Sequence, residues 1–203
     1  MLRSNSEGTI VANYQLRERI STQEISRCVA GLAERISADY KGKKLILVGV
    51  LNGAFIFMAD LARCIDLPVT VDFVRLASYG DEAKTSGSVR ITKDVEHALQ
   101  GSHVLIVEDI VDTGITLKWL LNHISTLRPE SVKICALIDK LERREVEVPL
   151  DYIGMTLESG FLVGYGLDFA GNHRNLPAIH EVVFNEAEPE CSAGSAKSSA
   201  GGR

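Results

Sequence analysis

An uninterrupted aliphatic run that leads into three acids and then into a helical pattern constrains this chain more than any other stretch. The run, Val104 to Val107, has no polar alternation, which is typical of a strand covered on both faces in a parallel sheet. From Leu117 the apolar residues recur at helical spacing until Pro129, which predicts an amphipathic helix. The stretch is therefore predicted to form a strand, an acidic loop and a helix.

Two more aliphatic runs have the same character. Residues 45–50 and 132–138 are each long enough for a buried strand. Near the start of the chain, Glu24 follows Ser21 at the spacing of a capping box, which predicts the beginning of a helix. Strands separated by helical segments are typical of an α/β domain.

The turn between the acidic loop and its helix carries residues suited to binding a phosphate. Unpaired backbone N–H groups and the positive end of the helix dipole attract anions there. Gly114 removes a side chain that would block close approach, and the hydroxyls of Thr113 and Thr116 add donors. We expect these three residues, with Asp112, to form a phosphate site.

The three acids, Glu108, Asp109 and Asp112, would repel a phosphate unless they had another task. One interpretation is that Glu108 and Asp109 accept hydrogen bonds from sugar hydroxyls or hold Mg²⁺, since hard cations take oxygen ligands. Asp112 would then be free for proton transfer. The alternative is that the first two acids are solvated at a strand end and that Asp112 is a helix N-cap. The clustering of all three acids favours the first interpretation.

The segment Glu108–Gly114, whose sequence is EDIVDTG, resembles the phosphoribosyl diphosphate signature of the type I phosphoribosyltransferases. Within that family it is most similar to the branch that acts on 6-oxopurines, and the resemblance extends from about Leu45 to Pro177. It implies an α/β fold with a Rossmann-like parallel sheet, flanking helices and a small C-terminal hood. It also implies that Ile110, between the acids, contacts the substrate.

The expected domain organisation follows from the extent of this resemblance and from the composition of the last residues. We expect a single domain over residues 9–185, with a core at about 20–140 and a hood at about 150–180. Residues 186–203 are rich in Ser, Ala and Gly without apolar periodicity, which predicts a disordered tail.

The resemblance assigns two further loops to the substrate. Leu51, Asn52 and Gly53 correspond to a loop that binds pyrophosphate through main-chain groups and contains a cis peptide, here between Leu51 and Asn52. Many members carry a basic residue at the position of Asn52, so only its backbone is assigned to binding. Ser78 and Tyr79 correspond to the base of a lid that closes during turnover. From composition alone, the same stretch is equally well an ordinary hairpin loop.

Residues near the chain's end complete the implied site. Lys140 follows a predicted strand, where open α/β sheets bind ligands, and is implied to donate to the purine 6-oxo group. Phe161 would stack on the base, Leu162 would bind it through its backbone, Asp168 would hold Mg²⁺ with Glu108 and Asp109, and Arg174 would meet pyrophosphate. Without the resemblance, Lys140 is a surface lysine, Phe161 is core, and Asp168 and Arg174 form a surface ion pair.

The implied reaction is the displacement of pyrophosphate from phosphoribosyl diphosphate by hypoxanthine, and also by guanine, giving IMP or GMP in purine salvage. Asp112 would act as general base, Mg²⁺ would be the cofactor, and the protein would be a homodimer or homotetramer. Enzymes of the same fold that act on xanthine, adenine or a pyrimidine stay open at this point.

Charge argues against the main alternative from another class, a regulator of this fold that binds nucleic acid with phosphoribosyl diphosphate as effector. The formal net charge is −5, and the mixed signs around Arg143 and Arg144 predict a solvated surface rather than a nucleic-acid patch. The longest apolar runs are too short to cross a bilayer, and the start of the chain lacks a signal peptide's apolar region. We therefore expect a cytoplasmic protein without membrane or nucleic-acid partners.

Overall fold

The computed structural model of the chain describes residues 14–79 and 88–184. The predicted tail, residues 186–203, lies outside the described residues, and so do residues 80–87 of the predicted lid. The elements follow in the order β1 (Tyr14–Ile20), α1 (Thr22–Asp39), β2 (Leu45–Leu51), α2 (Phe55–Cys64), β3 (Val69–Tyr79), β4 (Ser88–Lys93), β5 (His103–Val111), α3 (Ile115–Thr126), β6 (Ser131–Lys140), β7 (Tyr152–Leu157), β8 (Leu162–Val163) and β9 (Ile179–Phe184).

The larger sheet has six strands in the order β4-β3-β2-β5-β6-β7. Neighbouring strands are parallel except for β4, which pairs antiparallel with β3 at one edge. The three predicted aliphatic strands, β2, β5 and β6, occupy the middle, where both faces are covered and alternation is not required. The predicted α/β fold with a parallel sheet is confirmed.

Helices cover the two faces of this sheet. On one face, α1 and α2 pack against residues such as Leu47 and Leu105, and on the other α3 packs against Ile46 and Ile106. Alternate residues of one strand thus enter opposite halves of the core. The predicted capping box is present, since Ser21 and Glu24 bond each other's backbone at the start of α1. None of the described helices is long and apolar enough to cross a membrane.

The strand that carries the acids is longer than predicted. β5 continues past Val107 to Val111, because Ile110 and Val111 still pair with Ile138 and Asp139 of β6. The interpretation that placed Glu108 and Asp109 at the strand's end is therefore wrong in position. These acids belong to the strand itself, and Asp112 is the first residue beyond it.

A second sheet of three antiparallel strands, ordered β1-β9-β8, combines the first strand of the chain with its last two. Its edge strand, β1, comes from the first described residues, with Tyr14 opposite Phe184. Sequence reasoning did not predict β1. We call this sheet, together with residues 158–178 that lead into and between its strands, the hood.

Candidate active site

Two adjoining clefts open at the carboxyl ends of β2, β5 and β6. The hood cleft, of about 320 Å³, lies between these strand ends and the hood, and the helix-start cleft, of about 270 Å³, lies at the beginning of α3. They share Val50, Leu51, Glu108, Ile110 and Asp112. Ligands of open α/β sheets bind at this end of the strands.

The clefts bring together most of the residues predicted from the sequence. The hood cleft is also lined by Gly53, Asp109, Lys140, Phe161, Leu162, Asp168 and Arg174, and the helix-start cleft by Thr113, Gly114 and Thr116. Asn52 is exposed and lines neither cleft. The backbone of Ser78 and Tyr79 ends β3 and pairs with β4.

Glu108 and Asp109 form an acidic pair that lines the hood cleft. Burial, followed by the charge of Asp109 beside it, raises the pKa of Glu108 well above its usual value. Burial also raises the pKa of Asp109, against the lowering effect of hydrogen bonds and of Arg174. Two acids that both resist ionisation are suited to a site where a positive charge arrives with the ligand.

The acids match what Mg²⁺ requires only in part. Among residues 14–79 and 88–184, no three His, Cys, Asp or Glu side chains converge closely enough to hold a metal ion. Mg²⁺ is usually bound by one or two carboxylates and takes its other oxygens from water and substrate phosphates. Glu108, Asp109 and Asp168, which line one cleft, fit an ion that is shared with a phosphorylated ligand.

Asp112 lies between two cations. Its Oδ1 is 3.7 Å from Lys140 Nζ and its Oδ2 is 3.4 Å from Arg143 Nη1. Oδ1 is buried and has no hydrogen-bond partner, an arrangement that costs free energy unless a donor arrives. The alternative that Asp112 is a helix N-cap is wrong, because Gly114 occupies that position.

The turn before α3 requires a glycine for a reason that the sequence did not reveal. Gly114 has a φ of 84°, and a Cβ added to it would overlap the carbonyl oxygen of Val146. The Ile115 amide donates to the Thr113 hydroxyl at a long 3.4 Å, and Gly114 has no side chain to bond the next amides of α3, which stay available to an anion in the helix-start cleft.

Lys140 is not a surface lysine. It is 7% exposed, and its Nζ lies 3.7 Å from Asp112 and 3.6 Å from Glu142. Both distances are those of ion pairs longer than hydrogen bonds, so the ammonium keeps donors for a ligand in the hood cleft.

The two arginines that follow were both predicted to be solvated, and this is wrong for Arg144. Arg143 is 65% exposed, whereas the Arg144 side chain is 12% exposed and forms an ion pair with Asp139. Arg144 also donates to backbone carbonyls of Val111 and Asp112. Sequence reasoning missed this residue because the carbonyls of Val111 and Asp112 that it binds are more than 30 residues away in sequence.

Phe161 presents an aromatic face to the hood cleft. It is 45% exposed, so the alternative that it belongs to the core is wrong. An edge-to-face contact with Phe169, at 5.2 Å between ring centroids, supports it from behind, and Phe169 in turn contacts Tyr14 and Phe184. The position of Phe161 thus depends on both ends of the described chain.

Asp168 and Arg174 form the ion pair that was the alternative interpretation of these residues, and both also line the hood cleft. The two charged groups are 2.6 Å apart, and each side chain is 29% exposed. Arg174 also donates to the carbonyl of Gly166 at 2.6 Å, which fixes it to the hood.

The loop after β2 is held against the acids and the hood. The peptide between Leu51 and Asn52 is cis, as the resemblance implied. A Cβ on Gly53 would overlap the Asp109 carboxylate, and a Cβ on Gly166 would overlap the Gly53 carbonyl. Both glycines are needed for this close packing.

Comparison with known proteins identifies the class to which this fold and site belong. A family model of the phosphoribosyl transferase domain matches residues 18–170. The chain is 45% identical over 170 residues to the hypoxanthine phosphoribosyltransferase of Haemophilus influenzae, covering 82% of this chain and 95% of that protein. It is also 45% identical over 171 residues to the hypoxanthine-guanine phosphoribosyltransferase of Dictyostelium discoideum, again covering 82% and 95%.

Comparison with solved structures indicates the same class of protein. A crystal structure of a hypoxanthine-guanine phosphoribosyltransferase from Bacillus anthracis superposes with a TM-score of 0.79 at 40% identity, covering 83% of this chain and 100% of that chain. The chain belongs to the phosphoribosyltransferase family. Within that family it is an enzyme with a parallel-sheet core, a hood and an acidic site between them.

Proposed function

We propose that this enzyme transfers the 5-phosphoribosyl group from phosphoribosyl diphosphate to hypoxanthine, and also to guanine, in purine salvage. The products are IMP or GMP and pyrophosphate. The observation that carries the proposal is the arrangement of Asp112 and Lys140, 3.7 Å apart in the cleft that Phe161 covers. An acceptor and a donor at that separation suit the N7 proton and the 6-oxo group of one purine ring.

In this proposal the helix-start cleft holds the 5′-phosphate. The amides that open α3 and the hydroxyls of Thr113 and Thr116 donate to its oxygens. Glu108 and Asp109 accept from the ribose hydroxyls, and their charge stabilises the positive character that develops on the ribose as pyrophosphate leaves.

The leaving pyrophosphate is bound on the side of the ribose opposite to the 5′-phosphate. The backbone of Leu51, Asn52 and Gly53 and the guanidinium of Arg174 bind pyrophosphate. Mg²⁺, when bound by Glu108, Asp109 or Asp168, supplies positive charge that neutralises the departing oxygens.

The purine is recognised through its edge and its face. Phe161 stacks on the ring, the backbone of Leu162 contacts it, and Lys140 donates to the 6-oxo group. An adenine amino group cannot accept that hydrogen bond, which would leave a buried ammonium without its ligand partner. Asp112 removes the proton from N7 as the bond to carbon 1 forms.

The regulator that binds nucleic acid receives no support. The chain is acidic and keeps Asp112 at the position of the general base. A homodimer or homotetramer acting in the cytoplasm completes the proposal and rests on the family resemblance. Sedimentation of the purified chain at micromolar concentration tests the oligomeric state, and a monomer would contradict it.

The experiment that tests the activity measures pyrophosphate release from phosphoribosyl diphosphate and Mg²⁺ with each of five bases. We expect release with hypoxanthine and guanine, and little with adenine or uracil, whereas xanthine, a 6-oxopurine that differs from them at C2, measures how selective the site is at that position. Parallel reactions without Mg²⁺ test the cofactor and should release far less. No release with any of the bases would refute the proposed function.

A further inference from the structure

Residues 144–146, which we call the loop clamp, bind the backbone that leads from β5 into α3. Arg144 Nε donates to the carbonyl of Asp112 at 2.9 Å, and its Nη2 donates to the carbonyl of Val111 at 3.1 Å. The same guanidinium forms an ion pair with Asp139 on β6. One side chain therefore ties together the ends of two neighbouring strands.

The backbone of the loop clamp continues this contact. The amides of Glu145 and Val146 both donate to the carbonyl of Thr113 at 3.0 Å. The carbonyl of Val146 packs so closely on Gly114 that no side chain fits there. Three successive carbonyls, those of residues 111–113, are thus bound by the loop clamp.

Binding these carbonyls determines where the amides point. In a trans peptide the C=O of one residue and the N–H of the next point in opposite directions across a plane. Carbonyls held by the loop clamp therefore leave the amides of residues 112–114 pointing away from it. Those same residues line the helix-start cleft.

Arg144 is suited to this task in a way that a lysine is not. Its planar fork holds the carbonyls of Val111 and Asp112, a third carbonyl, that of Lys140, at 3.3 Å, and a carboxylate at once, whereas an ammonium is a compact charge on a flexible stem. The Arg144 and Asp139 side chains are each 12% exposed, so water does not readily replace either partner.

We propose that Arg144 is a positioning residue that orients the loop before α3, so that its amides bind the 5′-phosphate of phosphoribosyl diphosphate. This inference rests on the proposed function, because it concerns that substrate. Arg144 acts through the backbone carbonyls of Val111 and Asp112. Its removal should therefore weaken the use of the phosphorylated substrate more than the use of the purine.

The test uses the full chain with Arg144→Lys and Arg144→Gln, and with Arg35→Gln as matched control. Arg35 also donates to a backbone carbonyl, that of Asp151 at 3.4 Å, but it lies on α1 and lines neither cleft. We expect both Arg144 variants to raise the KM for phosphoribosyl diphosphate by roughly tenfold or more, with the KM for hypoxanthine changed by less than about twofold. Arg35→Gln should change neither KM.

Two further measurements separate positioning from a general loss of stability. Calorimetric titration with ribose 5-phosphate, without purine, should show the same loss of affinity in the Arg144 variants. Millimolar methylguanidinium added to Arg144→Ala should restore part of the KM for phosphoribosyl diphosphate. If Arg144→Gln fails to fold, Arg144→Lys, which keeps the positive charge, carries the test.

The outcomes distinguish this inference from the proposed function. Equal rises in both KM values would overturn the role of Arg144. Unchanged KM values in folded variants that lack the ion pair with Asp139 would overturn it as well. A wild-type chain that binds ribose 5-phosphate but releases no pyrophosphate would refute the proposed function alone. An active wild-type chain whose affinity for ribose 5-phosphate survives both substitutions would refute the inference alone.

Discussion

The carbonyl oxygen of Gly53 fills the space in which a side chain on Gly166 would have to begin. This contact joins the loop after β2 to the hood. On its other side, Gly53 packs against the carboxylate of Asp109. The acidic pair, the loop and the hood are therefore stacked in direct contact, and the separation between core and hood is set by two residues without side chains.

We expect Gly166→Ala to lower the free energy of unfolding by more than about 2 kcal/mol. Its φ of 103° costs an alanine about 1–2 kcal/mol, and overlap with the Gly53 carbonyl adds a further packing cost of about 1–3 kcal/mol. Urea unfolding gives the measurement. Gly171→Ala is the matched control, because Gly171 has a φ of 82° but nothing within 4 Å of its Cβ position. Equal losses in the two variants would show that the overlap contributes nothing.

Asp112→Asn should lower kcat by about 10²-fold or more while largely keeping the KM for phosphoribosyl diphosphate, as expected for loss of a general base. The amide keeps the shape of the side chain but cannot take up the N7 proton. Steady-state kinetics with hypoxanthine provide the test. Asp94→Asn, at an exposed aspartate paired with His123 outside both clefts, should leave kcat unchanged. An unaltered kcat in Asp112→Asn would remove this residue from the role of base.

Phe161→Leu should raise the KM for hypoxanthine by roughly tenfold, since base–aromatic stacking is worth about 1–3 kcal/mol. Little stability should be lost, because the ring is already 45% exposed. Phe55→Leu, on α2 and 43% exposed outside both clefts, is the control and should leave this KM as it is. A similar KM in both variants would argue against stacking by Phe161.

The stability of the fold should fall at acid pH through Asp72, which is 4% exposed. Burial alone raises the pKa of this carboxyl, but hydrogen bonds from His97, Phe73 and Glu96 outweigh it and lower the pKa to about 2. Because the folded pKa lies below the unfolded value of 3.8, the stabilisation is present above pH 3.8 and is lost as pH falls towards 2. It amounts to about 2 kcal/mol.

Urea unfolding at pH 6 and at pH 3 measures this contribution. Asp72→Asn should be less stable than the wild type at pH 6, and the difference between the two should shrink at pH 3. A difference that stays constant between these pH values would show that Asp72 does not contribute through its charge.

The core sheet was predictable because β2, β5 and β6 are covered on both faces, and this coverage appears in the sequence as uninterrupted aliphatic runs. The end of β5 was not predictable from the same rule. There the ladder with β6 continues through Glu108 and Asp109, whose side chains serve a cleft rather than a core.

The contacts of Arg144 and of β1 could not be predicted from the sequence for a different reason. Arg144 stands in a run of mixed charges that is typical of a solvated surface, and only the return of the chain from β6 places it against Val111 and Asp112. β1 carries alternating polar residues, and its pairing with β9 joins Tyr14 to Phe184. Contacts between residues far apart in sequence leave no local pattern.

The pairing of β1 with β9 also has a consequence for the protein while it is being made. A ribosome delivers the strands of the central sheet before Ile179–Phe184, so β1 gains its neighbour only after β9 has been made. Until then Phe161 lacks the aromatic support that reaches it through Phe169. The nascent polypeptide therefore completes the strands of the six-stranded sheet before those of the hood sheet, and the hood cleft between them takes its final shape only after β9 has been made.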